Sequence, residues 1–414
     1  MQVTATLKRL LFSLSAFLLI SPAFAQNQND PGEVFGRERT LNTVTTAVPF
    51  LMIAPDSRAG AMGDVGVSST PDINSMHWNP AKYAFIDKEM GFSMAYSPWL
   101  RALVGDINLA YLSGYKRLDE NSTVAASLLY FSLGDITFTD QFGKDEGVYR
   151  PSEFAISGTY SRKFTDHLSG AVSARFIYSN LTMGQYVLGM ATKPGTSIAS
   201  DVAVYYERNV DLFNTDAIFA WGINISNIGS KISYSDDNIQ KDFIPTNLRL
   251  GPSLTFDLDD YNRISVLVDV NKLLVPTPPV YAVDADNQPV IGDDGRQLIA
   301  KGKDPEVSVP VGMLQSFYDA PGGFSEELRE YNIGAGFEYW YDKQFALRGG
   351  YFHEHATKGN RKYFTLGVGL RYNVFGLDFS YLVPVAQKHP LENTLRFTLS
   401  FDFDAFRAQQ LRPE

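Results

Sequence analysis

The sequence contains no cysteine. That excludes a disulfide scaffold, a thiolate zinc centre and a lipid-modified N-terminal cysteine. Histidine is scarce. The five copies, His77, His167, His353, His355 and His389, are scattered. His353 and His355 would share one strand face, but no third ligand stands near them. They read as strand-end histidines, and neither a metal nor another cofactor is expected. Lys and Arg (36) are outnumbered by Asp and Glu (46). The net charge of −10 argues against a nucleic-acid partner. Long apolar runs are missing too. Although 44% of residues are hydrophobic, nothing beyond residue 25 reaches the roughly 18 apolar residues of a spanning helix. A length of 414 residues suits two or three soluble domains or one large barrel.

The first 25 residues read as a secretory signal. Lys8-Arg9 supply the charge, Leu10 to Ile20 the apolar core, and Ala23-Phe24-Ala25 an A-x-A cleavage pattern. The mature chain is expected to start at Gln26.

The sequence next shows period-two alternation, repeated along the chain. In Leu395-Arg396-Phe397-Thr398-Leu399-Ser400-Phe401-Asp402-Phe403 every odd position is large and apolar, and every even one is polar. That is a β-strand with one apolar and one wet face. Similar runs lie at Phe92–Tyr96, Ile107–Tyr111, Thr123–Leu133, Phe154–Tyr160, Val172–Tyr178, Val202–Tyr206 and Phe219–Ile225. More follow at Leu248–Leu254, Ile264–Val270, Ile333–Tyr341, Phe345–Tyr351, Phe364–Tyr372 and Leu377–Val383. The total is fourteen strands.

Asp106, Arg175, Arg249, Asp269, Glu338, Arg348, Arg371, Arg396 and Asp402 all fall in phase with the wet side. On a lipid-facing midplane each would cost roughly 2–4 kcal/mol. Aromatic strand ends (Tyr96, Tyr111, Tyr160, Tyr178, Tyr372) fit interfacial girdles. A soluble sandwich leaves them unexplained. Connections also alternate between short and long, as in an up-and-down barrel with periplasmic turns and outer loops. We therefore expect an all-β fold: a closed, 14-stranded antiparallel transmembrane β-barrel in the outer membrane, with both barrel ends on the periplasmic side. The expected organisation is 1–25 signal peptide, 26–88 extension and hatch, 89–403 barrel and 404–414 tail.

Residues 26–88 do not alternate. The glycines at 60, 63 and 66 superficially suggest a phosphate loop, but no G-x-G-x-x-G or GK[ST] surrounds them. A compact, glycine-bearing, apolar segment before a barrel reads as a plug in its lumen. Here a resemblance becomes specific. Ala59-Gly60-Ala61-Met62-Gly63-Asp64, followed by Trp78-Asn79-Pro80-Ala81, resembles the hatch of FadL-type outer-membrane barrels. Gly60, Gly63, Asp64, Asn79, Pro80 and Ala81 carry the motif. The phrase from Pro49 to Phe85 and the C-terminal third, with Tyr351-Phe352-His353-Glu354, resemble the PorV proteins of the type IX secretion system of Bacteroidetes.

The resemblance implies a cargo shuttle. Such proteins bind the C-terminal signal domain of secreted cargo at the translocon barrel. They deliver it to a cell-surface attachment complex with a sortase-like subunit, which joins cargo to lipopolysaccharide. The residues themselves point to where contact could occur. Lys272–Glu330 is too long for a turn, with ten acidic and five basic residues. Leu314, Phe317 and Tyr318 have amphipathic-helix spacing. Val311, Met313 and Phe324 join them as docking candidates, with Trp99 and Leu100 at the first loop tip. A loop folded over its own barrel mouth is the bland reading. Two rival functions remain. One is a FadL-like channel for hydrophobic molecules, which the charges expected in the lumen disfavour. The other is an enzyme such as a lipid A deacylase. No G-x-S-x-G is present, and His167 lacks a placed Ser or Asp, so no enzyme is expected.

Overall fold

A computed structural model describes residues 41–403, apart from 102, 140–144, 188–189, 236–240 and 388. The expected signal, most of the extension before the hatch and the tail lie outside the described residues. Fourteen strands close into a barrel. They are β1 (Met90–Pro98), β2 (Asn108–Arg117), β3 (Ser122–Ser132), β4 (Ser152–Lys163), β5 (Leu168–Asn180), β6 (Gly195–Leu212) and β7 (Thr215–Gly229). The circuit continues with β8 (Asn247–Asp257), β9 (Asn262–Leu273), β10 (Asn332–Tyr341), β11 (Phe345–His353), β12 (Lys362–Tyr372), β13 (Phe375–Pro384) and β14 (Leu395–Asp402). Each pairs antiparallel with its sequence neighbours, and β14 returns to β1 through Met94↔Leu399 and its flanking pairs. No edge is left unpaired, as hydrocarbon requires.

The wall is inside out relative to a water-soluble sheet. Ile198, Val172 and Leu366 are 70%, 59% and 59% exposed, while their neighbours Ser197, Ser173 and Thr365 are 3%, 1% and 1% exposed. Arg175, Arg249, Asp269, Glu338, Arg348 and Arg396 all point inward and are buried. Arg371 and Asp402 lie half-buried at the short-turn rim. An exposed apolar face with charges on the hidden one is what lipid surroundings select. Short connections gather at one end. Phe213-Asn214 is a two-residue hairpin with φ of 55° and 63°, which matches the strand twist. Met90 and Asp402, the two ends of the barrel, both lie at this end.

Two expectations about phase fail. Asp106 precedes β2 and is exposed in a long connection, where it accepts a hydrogen bond from the Asp135 amide at 2.7 Å. Leu109 and Tyr111 face inward, not towards lipid, so Tyr111 belongs to no girdle. The reason lies inside the barrel. Phe50 and Leu51 fill the loop-side half of the lumen, and Leu109, Tyr111, Leu129, Phe131 and Ile177 close around them. Phe50 stacks on Phe131 at 6.2 Å. With an apolar plug on one side and lipid on the other, both faces of β2 and β3 are apolar-compatible.

The hatch runs through the barrel from mouth to mouth. At the long-loop end, the Asn42 amide donates to Thr357 O at 3.1 Å and its side chain to Pro278 O at 3.3 Å. The Ala47 amide donates to Phe243 O at 2.9 Å, in another long loop. At the short-turn end, Arg117 Nη1 donates to Asp87 O at 2.8 Å.

Candidate functional site: the hatch lock and the long loop

The hatch is fixed by short helical turns whose caps also bond residues beyond their own turn. Asp56 caps Ser57–Gly60: one carboxylate oxygen accepts from the Ala59 amide at 3.0 Å, the other from Trp78 Nε1 at 2.6 Å. Asn79 does the same for the turn Pro80–Phe85. Its Oδ1 accepts from the Ala81 amide at 3.0 Å, and its Nδ2 donates to Val67 O at 2.9 Å and Val204 O at 3.0 Å. Pro80 fits the first position because that turn needs no N–H there. Ala81 O accepts from Ser161 and Ser169 on the wall. Gly63, at φ +79°, lies directly on the wall backbone; a Cβ there would sit 2.7 Å from Tyr351 O. Gly350 makes the reciprocal approach: a Cβ there would fall 2.1 Å from the Met62 carbonyl carbon. Gly60 is covered by Arg396, and Asp64 accepts from the Tyr363 hydroxyl. The structure thus brings Gly60, Gly63, Asp64, Asn79 and Ala81 into hatch–wall contacts, with Pro80 opening the turn that Asn79 caps.

A chain of alternating charges locks this arrangement. Arg58 donates to Asp72 at 2.9 Å and twice to Glu338, at 2.9 and 2.6 Å. Glu338 also accepts from Arg348 at 2.6 Å, and Arg348 donates to Asp378 at 2.8 Å. Arg371 completes the series on Asp378 at 2.7 Å. Glu338, Arg348 and Asp378 are at most 2% exposed. Beside this chain the lumen widens towards the short-turn end into a cavity of about 750 Å³, lined by Asp72, Tyr115 and Trp340 among others.

The long loop between β9 and β10 is anchored below and bare above. Lys272 donates to Glu327 at 3.3 Å and Glu330 at 2.7 Å, and Lys358 to Glu326 at 2.7 Å and Glu330 at 2.9 Å. Asp319 accepts from the Thr277 amide at 3.1 Å. Burial pushes its carboxyl up to about 6, and the Glu327 charge adds to the rise. Above this base stands the helix Val309–Gln315. It ends before Phe317 and Tyr318, which follow in a turn. Val311, Leu314, Phe317, Tyr318, Phe324 and Leu328 are nonetheless all exposed, and Met313 is half-buried. Trp99 and Leu100 are placed differently. They are half-buried against Phe352, Tyr363, Leu382 and Leu391, with the Arg396 guanidinium 6.0 Å from the Trp99 ring.

Strand β11 ends at His353, whose ring meets the Tyr351 hydroxyl, and His355 lies beyond it, bonding Thr357 at 3.0 Å, so the two do not share a strand face. Among the described residues no three His, Asp or Glu side chains gather as metal ligands. Sequence reasoning missed the loop anchor. Lys272, the Glu327–Glu330 turn and Lys358 come from three separate stretches of the chain, and nothing local marks them as partners.

A family model described as the type IX secretion system protein PorV matches residues 36–280. That stretch spans most of the hatch and the first nine strands. The chain belongs to the PorV family. As a PorV-family barrel it is an integral protein of the outer membrane. No curated protein matches it. Among solved structures it is similar to the toluene transporter TodX of Pseudomonas putida (11% identity, 87% of this chain and 98% of that one, TM-score 0.46). It is also similar to the toluene transporter TbuX of Ralstonia pickettii (12%, 84% and 97%, 0.44) and to a FadL homologue of Pseudomonas aeruginosa (11%, 87% and 99%, 0.42).

Proposed function

We propose that this PorV-family barrel is a non-enzymatic secretion component that captures exported cargo on its extracellular face. It binds the cargo's C-terminal signal domain at the type IX translocon barrel. It then hands the cargo to the attachment complex, whose sortase-like subunit joins it to lipopolysaccharide. One observation carries the reading: a loop held at its base by buried ion pairs leaves Val311, Leu314, Phe317, Tyr318, Phe324 and Leu328 uncovered in water. Clustered apolar side chains on a rigid base mark a partner site. A channel for hydrophobic solutes is disfavoured, because the apolar half of the lumen is filled by the chain's own Phe50 and Leu51.

The test is deletion of residues 307–324 in cells. Cargo capture is expected to be lost while the barrel remains inserted, with cargo accumulating unreleased. Unchanged surface release of cargo would overturn the proposal.

A further inference from the structure

The same extracellular loop carries a second element that the docking patch does not include. Two segments eight residues apart repeat one pattern: Val283-Asp284-Ala285-Asp286-Asn287-Gln288 and Ile291-Gly292-Asp293-Asp294-Gly295-Arg296. Each forms a tight hairpin that turns at a positive φ, 64° at Asn287 and 76° at Gly295. Asp284 and Asp294 fasten the turns by accepting from the Gln288 and Arg296 amides at 2.9 and 3.1 Å. The stem Val280–Tyr281 with Ile299–Lys301 forms a third arm. The arms meet in a ring of backbone hydrogen bonds: Ala282 to Leu298 at 2.7 Å, Leu298 to Val290 at 2.9 Å and Val290 to Ala282 at 3.1 Å.

This three-armed head has no core of its own. Val283, Ile291 and Leu298 are all exposed, and two-stranded arms are marginal alone in water. Its tips are acidic, with Lys301 on the stem below them. Asp284, Asp286, Asp293 and Asp294 are exposed, and none is in an ion pair among the described residues. Arg296 turns away towards Asp304 and Glu306. Acidic tips around exposed aliphatic side chains complement one kind of surface: an apolar protein patch rimmed by Lys and Arg.

We propose that the head is the electrostatic recognition element of the loop. Its four carboxylates steer a basic-rimmed cargo surface, and Val283, Ile291 and Leu298 seat it. The proposal rests on the cargo-capture reading above. Charge steering acts on association more than on dissociation, and salt suppresses it.

The test uses the full barrel in nanodiscs and, as probe, a purified C-terminal signal domain of a type IX cargo. Rates are read at low and high salt. Changing Asp284, Asp286, Asp293 and Asp294 together to Asn keeps the turn acceptors. It should slow association about tenfold at low salt and flatten the salt dependence, with little change in dissociation. Ile291→Ser with Leu298→Ser should do the reverse and speed dissociation. Parent-like rates in both variants at every salt overturn the head, while loss of binding in Leu314→Asp/Phe317→Asp at the same time leaves cargo capture standing. A parent barrel that does not bind the domain overturns both proposals.

Discussion

Glu338→Ala is the sharpest perturbation of the hatch lock. Glu338 accepts two hydrogen bonds from Arg58 and one from Arg348, at 2.6–2.9 Å, and is 2% exposed. Removing one partner of a buried ion pair costs about 3–5 kcal/mol, because the other charge stays buried without compensation. Both arginines here keep a second carboxylate, Asp72 for Arg58 and Asp378 for Arg348. The loss should therefore sit near the lower bound, about 3 kcal/mol, or roughly a 150-fold shift in the folding equilibrium. Urea unfolding in detergent, followed by the gel-mobility difference between folded and unfolded barrels, measures it. The double variant Arg58→Met/Glu338→Met removes both members of one pair and should be less unstable than the two single losses added together. A Glu338→Ala barrel within about 1 kcal/mol of the parent, or singles that simply add, would refute the reasoning.

Two other outcomes follow from contacts already described. Gly350→Val places side-chain atoms where the hatch backbone lies, 2.1 Å from Met62. It should prevent the compact, heat-resistant form on gels, whereas the same change at Gly158, which has open space around it, should not. The Asp319 carboxyl binds its proton more tightly in the folded loop than in a free chain, being raised from 3.8 to about 6. Its contribution is therefore most favourable at low pH and is lost as pH rises from about 4 through about 6. Protease resistance of residues 316–331 should fall over that window, and Asp319→Asn should abolish the dependence.

The wall was readable because lipid imposes one rule on every strand. Alternations such as Leu395 to Phe403 located all fourteen strands. The reading erred at Leu109 and Tyr111, where the plug is itself apolar and the inward face looks like the outward one. Period two then marks a strand but not which way it faces. Asp106 was misplaced by counting a loop residue into the strand register. The hatch motif was legible as a motif. Its lock was not, since Arg58 and Glu338 are 280 residues apart and nothing local marks them as partners. A helix near Leu314 was visible in the spacing, although it ends at Gln315, before Phe317 and Tyr318. The bareness of its apolar side chains was not, because exposure depends on Lys272 and Lys358 holding the base from elsewhere. Trp99 and Leu100 looked like tip residues, but the mouth of the barrel folds them inward.

The segment from Asn42 to Asp87 is a thread inside a ring. A closed ring cannot admit a thread sideways. The leader must already lie across the half-built sheet when the seam between the first and last strands zips shut, or a free end must be drawn through afterwards. The last strand to be made also touches the thread: its Arg396 donates to Gly60 O, and its Thr398 accepts from the Ser57 amide. Closure of the cylinder is thereby coupled to correct insertion of its contents, and a barrel that seals empty lacks the contacts that hold its final staves.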